Sequence, residues 1–193
     1  MRHARPEPNE ESIAAAIEPV FRLILDLPAR PPVAGLPRRL GALFRDLKTA
    51  RPDRAEEIED LIWALWISHE DRKAEEIMGA AVDALASSDL PQARFLLDHL
   101  VERHPDWPEA WNKRATLSFI EKRDAECLAD IRRTLDLEPR HFGAISGFGQ
   151  ICLRQRHLNE ARAAFQVALS LNPHLEGLRE IIRDLNPRHL MLH

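Results

Sequence analysis

The chain of 193 residues has no tyrosine, two cysteines, seven scattered glycines, and lysine at only four positions, 48, 73, 113 and 122. The scarcity of lysine beside abundant arginine, with no tyrosine, reads as a coding bias. Two thiols, Cys127 and Cys152, cannot form a multi-bridge framework, and at core-facing helical positions they are expected to be buried and reduced. Scattered glycines exclude a phosphate-cradling loop, and neither a nucleophile elbow nor a zinc-binding His-Glu motif is found. The nine histidines include His99 and His104, five apart, and His189 and His193, four apart. Neither pair has a Cys, Asp or Glu partner at ligand spacing, so no metal and no cofactor is expected. No catalytic carboxylates stand out from charge runs such as Glu56, Glu57, Glu59 and Asp60, which read as a solvated helix face. No enzyme activity is expected.

Long apolar runs are also missing. The nearest stretch, residues 13–27, is broken by Glu18, Pro19, Arg22 and Asp26, so it is neither a membrane span nor a secretory signal. A cytoplasmic location is expected, with a periplasmic or secreted one as the alternative. The formal net charge is −4, with acids and bases interleaved and no basic face, which excludes the electrostatic footprint of a nucleic-acid binder.

Periodicity takes the place of motifs. Pro105, Pro139 and Pro173 recur at a step of 34 residues, and a period of that size signals stacked helical units. Between these prolines lie PEAWNKRATLSFIEKRDAECLADIRRTLDLEP and FGAISGFGQICLRQRHLNEARAAFQVALSLNP. Aligned, they pair Trp111 with Ile145, Ala115 with Gly149, Cys127 with Ala161, Ile131 with Phe165 and Thr134 with Ala168. This order of aromatic, small, small, bulky and closing proline resembles the tetratricopeptide repeat (TPR). The resemblance implies an all-α solenoid of antiparallel helix pairs, a right-handed superhelix with terminal capping helices. It also implies a non-catalytic binding scaffold.

Residues 1–35 are expected to hold a polar tail, an amphipathic helix capped by Ser12 and kinked or restarted at Pro19, and a stiff linker with Pro28, Pro31 and Pro32 that runs on to Pro37. Residues 36–73 form a degenerate hairpin in register with the repeats, with Asp53 as N-cap and with Leu47 and Glu59 where small residues are usual. Full repeats follow at 74–107, 108–141 and 142–175, and residues 176–193 form a polar-backed capping helix and tail. Small residues mark the helix crossings, Ala81 on Ala93, Ala115 on Cys127 and Gly149 on Ala161.

The resemblance implies that the first helices of successive repeats line a groove for an extended peptide or a helix from a protein partner. The corresponding positions are Met78, Val82 and Leu85, then Asn112, Thr116, Phe119 and Ile120, then Ser146, Gln150, Leu153 and Arg154. Asn112 and Gln150 are suited to hold a peptide backbone, and Arg154 to grip a carboxylate. Some of these residues have a second reading, as contacts to the N-terminal helix or the neighbouring repeat. The clamp that grips heat-shock-protein tails needs paired Asn with Lys and Arg, and Met78 and Ser146 depart from it. Arg114 faces Asp130 at the family's positions for an intra-repeat ion pair. Trp63 and Trp66 read as core, or alternatively as anchors of a homo-oligomer.

Overall fold

The computed structural model describes residues 10–27 and 38–185. The expected N-terminal tail, Pro-rich linker and C-terminal tail therefore lie outside the described residues. Among the described residues there are ten helices and no strands. They are α1 (Glu10–Asp26), α2 (Arg38–Thr49), α3 (Pro52–Ile67), α4 (Arg72–Ala86), α5 (Leu90–Arg103), α6 (Pro108–Ile120), α7 (Asp124–Leu137), α8 (Phe142–Arg154), α9 (Leu158–Leu171) and α10 (Leu178–Asp184). Helix α4 pairs with α5, α6 with α7 and α8 with α9, and the pairs stack through α5 on α6 and α7 on α8. This is a TPR-like solenoid, with each pair contacting mainly its neighbours.

The 34-residue period is written into the backbone. The turns inside the three pairs hold Ser88, Lys122 and Arg156 at φ 61°, 60° and 65°, the same left-handed position three times. Between pairs, His104, Glu138 and Asn172 close the second helices with N–H bonds to the carbonyls of Leu100, Thr134 and Ala168. A left-handed conformation costs an L-residue about 1–2 kcal/mol. Glycine avoids that cost but loses more chain entropy on folding, by about 0.4–1 kcal/mol. Lys122→Gly should therefore stabilise the protein by about 0.5–1 kcal/mol, seen as a raised denaturation midpoint.

The crossings are built as the small residues imply. Ala81, Ala93, Ala115, Cys127, Gly149 and Ala161 are all buried, and the Cys127 thiol donates to the Ala115 carbonyl at 3.1 Å. Burial pushes both thiols up, to about 12, which leaves them protonated at neutral pH.

Helix α1 runs through Pro19 without a break. It begins at Glu10, so Ser12 lies inside the helix and is not its cap. Ile13, Ile17, Val20, Leu23, Ile24 and Leu27 are buried in one core with residues of α7, α8 and α9, and Phe21 stacks on Phe148 at 6.3 Å. Helix α1 thus lies mainly on the second helices α7 and α9, away from the first-helix stripe.

Hairpin α2–α3 forms its own core of Leu40, Leu43, Phe44, Leu47, Ala55, Ile58, Ile62 and Trp66, to which the repeats contribute Phe142. Its N-cap is Arg51 and not Asp53: Pro52 opens α3, which moves Asp53 into the first turn. There its charge favours the positive end of the helix. The hairpin is anchored on the turns between repeats. His174 Nε2 lies 3.1 Å from the Leu47 carbonyl, and Asn172 Nδ2 donates to Glu59 at 2.8 Å. At the other end, α10 packs on α9 with Leu178 buried.

Candidate functional site

The eleven first-helix residues divide into a covered half and an open half. Nearer the helix starts, Met78 is fully buried and Asn112 is 7% exposed. Ser146 is half-buried, and its Oγ is buried without a hydrogen-bond partner among the described residues. The Asn112 amide nitrogen is already engaged, Nδ2 donating to both oxygens of Glu109 at 3.3 and 3.2 Å.

Nearer the helix ends the stripe is open and largely apolar. Val82 is 36% and Ile120 is 47% exposed. Thr116 is exposed, with its hydroxyl donating to the Asn112 carbonyl. Leu85, Phe119, Gln150 and Leu153 are half-buried. Arg154 already grips a carboxylate, one from its own chain. Its Nε and Nη2 donate to Asp124, Nη1 donates to the Phe119 carbonyl at 3.0 Å, and the guanidinium lies 4.0 Å above the Phe119 ring. In this arrangement Arg154 braces the end of α8 on the α6–α7 turn, so the bidentate grip is spent within the fold.

Helix α3 lies over the starts of α6 and α8. Trp66 stacks on the His141 ring, 4.0 Å between centroids and 12° between planes. The Trp66 carbonyl accepts from Trp107 Nε1 at 2.8 Å. Trp63 stands edge-on to Trp66, His141 and Phe142 at 5.1, 5.7 and 5.5 Å. It lies so close over the start of α8 that a Cβ on Gly143 would come 2.7 Å from its ring. Lys113 Nζ sits 5.4 Å from the Trp63 ring centre. With Trp66 only 4% exposed and Trp63 half-buried, the pair is committed within the chain. Trp66 is therefore not an accessible anchor for a homo-oligomer.

Beneath these rings lies a charge cluster that sequence reasoning missed. Glu109 is fully buried and bonds His141 Nε2 at 2.8 Å, Lys113 Nζ at 2.9 Å and Asn112 Nδ2. His141 Nδ1 accepts the Ala144 N–H as the cap of α8, so the proton sits on Nε2 and points at Glu109. Burial pushes the Glu109 carboxyl up. The hydrogen bond from His141, with the Lys113 ammonium, outweighs burial and holds it below the usual range. The available signal was weak: Glu109 and His141 each open a first helix, but 32 residues apart they fall out of register.

A second network joins α5, α6 and α7. Arg114 holds Asp130 with two bonds of 2.9 and 2.8 Å, as the repeat positions imply, and reaches Asp98 at 3.1 Å. Burial raises the Asp130 carboxyl despite the pull of Arg114. Arg94 pairs with Glu121, and Arg123 lies within 3.5 Å of Glu121 and Glu126. Three arginines and four carboxylates interleave here, each arginine paired with at least one carboxylate, and the network ties the three helices together. Among the described residues no group of three or more His, Cys, Asp or Glu could hold a metal, and no helix is long and apolar enough to cross a membrane.

The chain is similar to a TPR repeat-containing protein of Rhizobium etli, 37% identical over 115 residues. That match takes in 59% of this chain and 56% of the relative, so the chain spans little more than half of the relative's length. No family model matches the chain.

Proposed function

We propose that this TPR-like solenoid is a non-catalytic scaffold that binds a protein or peptide partner along the open half of its first helices. The observation that carries this reading is the alignment of Val82 and Ile120 on α4 and α6, two of the few large apolar side chains left exposed among the described residues. Leu85, Phe119 and Leu153 widen the stripe, and Thr116 and Gln150 add polar groups able to meet a peptide backbone. Contiguous exposed apolar surface rimmed by polar groups marks an interaction site. An adaptor needs no more than such a surface, and the residues around it offer no nucleophile paired with a base.

Ile120→Asp tests the reading. The side chain is exposed, so the substitution should alter stability by less than about 0.5 kcal/mol, while a charge in the stripe should abolish partner binding. Affinity capture from a lysate of the source organism, with bound proteins identified by mass spectrometry, should return a protein held by the wild type and lost by Ile120→Asp. Equal capture by both would move the binding surface elsewhere on the molecule.

A further inference from the structure

We propose that α3 is an intramolecular ligand, and that a partner helix presenting a carboxylate and two aromatic rings at positions i, i+4 and i+7 binds this chain by displacing it. The inference rests on the first-helix face being the binding face, and extends it to the covered half.

The occupant defines the chemistry. Glu59, Trp63 and Trp66 stand at that spacing and therefore share one face of α3. Each has a receptor on the repeats. Glu59 accepts from Asn172 Nδ2 at 2.8 Å, Trp63 lies in the notch left by Gly143 with Lys113 above its ring, and Trp66 stacks on His141. Trp107 Nε1 adds a bond to the α3 backbone at the Trp66 carbonyl. Together these form a helix-in-groove interface, read out by side chains one turn apart.

The hairpin is built to come away as a unit. Its core takes only Phe142 from outside the hairpin as a buried residue, with Leu171 and Leu175 packed at its edge, so α2 and α3 keep most of their mutual packing when they leave. Its seat is also imperfect. Trp66 Nε1 is buried without a hydrogen-bond partner among the described residues, a cost that a differently placed aromatic helix need not carry. Departure would uncover Trp107, Phe142 and the Glu109–His141 pair, all buried in the structure. Only an incoming aromatic face with its own polar group re-covers them. That requirement makes the site selective, and competition with α3 lowers the affinity of any partner by the fraction of time the hairpin is open.

The probe is the helix itself, as a fluorescein-labelled peptide of residues 52–69, titrated by anisotropy into the full chain. The wild type, with its own α3 in place, should bind it weakly. Trp63→Ala with Trp66→Ala loosens the resident helix and leaves the receptor intact, so this double variant should bind at least about tenfold more tightly. Adding Gly143→Leu fills the notch and should remove the gain. A double variant that keeps its helical circular dichroism and binds no tighter than the wild type overturns the proposal. Should the double variant lose its helices, hydrogen exchange on the wild type decides. Amides of α2 and α3 should open at least about tenfold more readily than those of α6 to α9, and equal protection overturns the proposal. The Ile120 experiment reports on the open half alone and the peptide titration on the covered half alone, so the two readings fail separately.

Discussion

Gly149→Ala should destabilise the protein by about 1–3 kcal/mol, whereas Gly79→Ala should stabilise it by up to about 1 kcal/mol. Both glycines lie within first helices, where alanine is the better residue by propensity alone. They differ in what a Cβ would meet. At Gly79 there is nothing within 4 Å, while at Gly149 three atoms of the Phe165 ring lie at 2.4, 2.7 and 2.8 Å. Phe165 is fully buried between α8 and α9, so its ring cannot swing aside without moving the crossing. Overpacking therefore exceeds the propensity gain at Gly149, and propensity acts alone at Gly79. Chemical denaturation of the two variants beside the wild type gives the two signs directly. A stabilised Gly149→Ala would mean that α8 and α9 separate more easily than their packing indicates.

The same contact explains why the solenoid could be read from the sequence. Tetratricopeptide packing is local, since each crossing uses residues of one repeat. The pairs Ala81–Ala93, Ala115–Cys127 and Gly149–Ala161 therefore announce themselves at fixed spacing. Arg114 and Asp130 were legible for that reason too. What could not be read was how the non-repeating parts fold back. The bonds from Asn172 to Glu59 and from His174 to Leu47 join residues more than a hundred positions apart, and no period connects them. Trp63 and Trp66 gave a helical pattern but not its target, and Glu109 looked like any first-turn acid until α3 was seen to cover it.

The groove residues were legible as positions and illegible as states. Asn112 and Arg154 stand where a ligand-gripping amide and guanidinium would stand, yet the Asn112 amide nitrogen is bonded to Glu109 and the Arg154 guanidinium to Asp124 of their own chain. A position in a repeat says which way a side chain faces. It does not say what the rest of the chain has placed there. Asn112 and Arg154 are thus engaged by internal bonds, whereas Val82 and Ile120 remain exposed.

Glu109→Ala should cost about 3–5 kcal/mol, the usual result of removing one member of a buried charged cluster. Its carboxylate satisfies Lys113 Nζ, His141 Nε2 and Asn112 Nδ2 at once, and without it an ammonium and two N–H donors lose their acceptor, the two N–H donors in a buried site. The pH dependence follows from the lowered carboxyl. A group whose pKa is lower folded than unfolded contributes stability above its unfolded value, about 4.3 for glutamate. That contribution is lost as pH falls through the folded value. Stability should therefore decline on acidification below about pH 4.3, and the decline should be shallower in Glu109→Gln, which keeps the shape but cannot ionise. Asp130 acts with the opposite sign, because burial raises its carboxyl and its protonation favours the folded state. The difference between the wild-type and Glu109→Gln profiles removes this shared background and isolates Glu109. Parallel profiles from neutral pH to pH 3 would mean that the Glu109 carboxyl titrates alike in the folded and the unfolded chain, with the bonds from His141 and Lys113 doing no more than offset its burial.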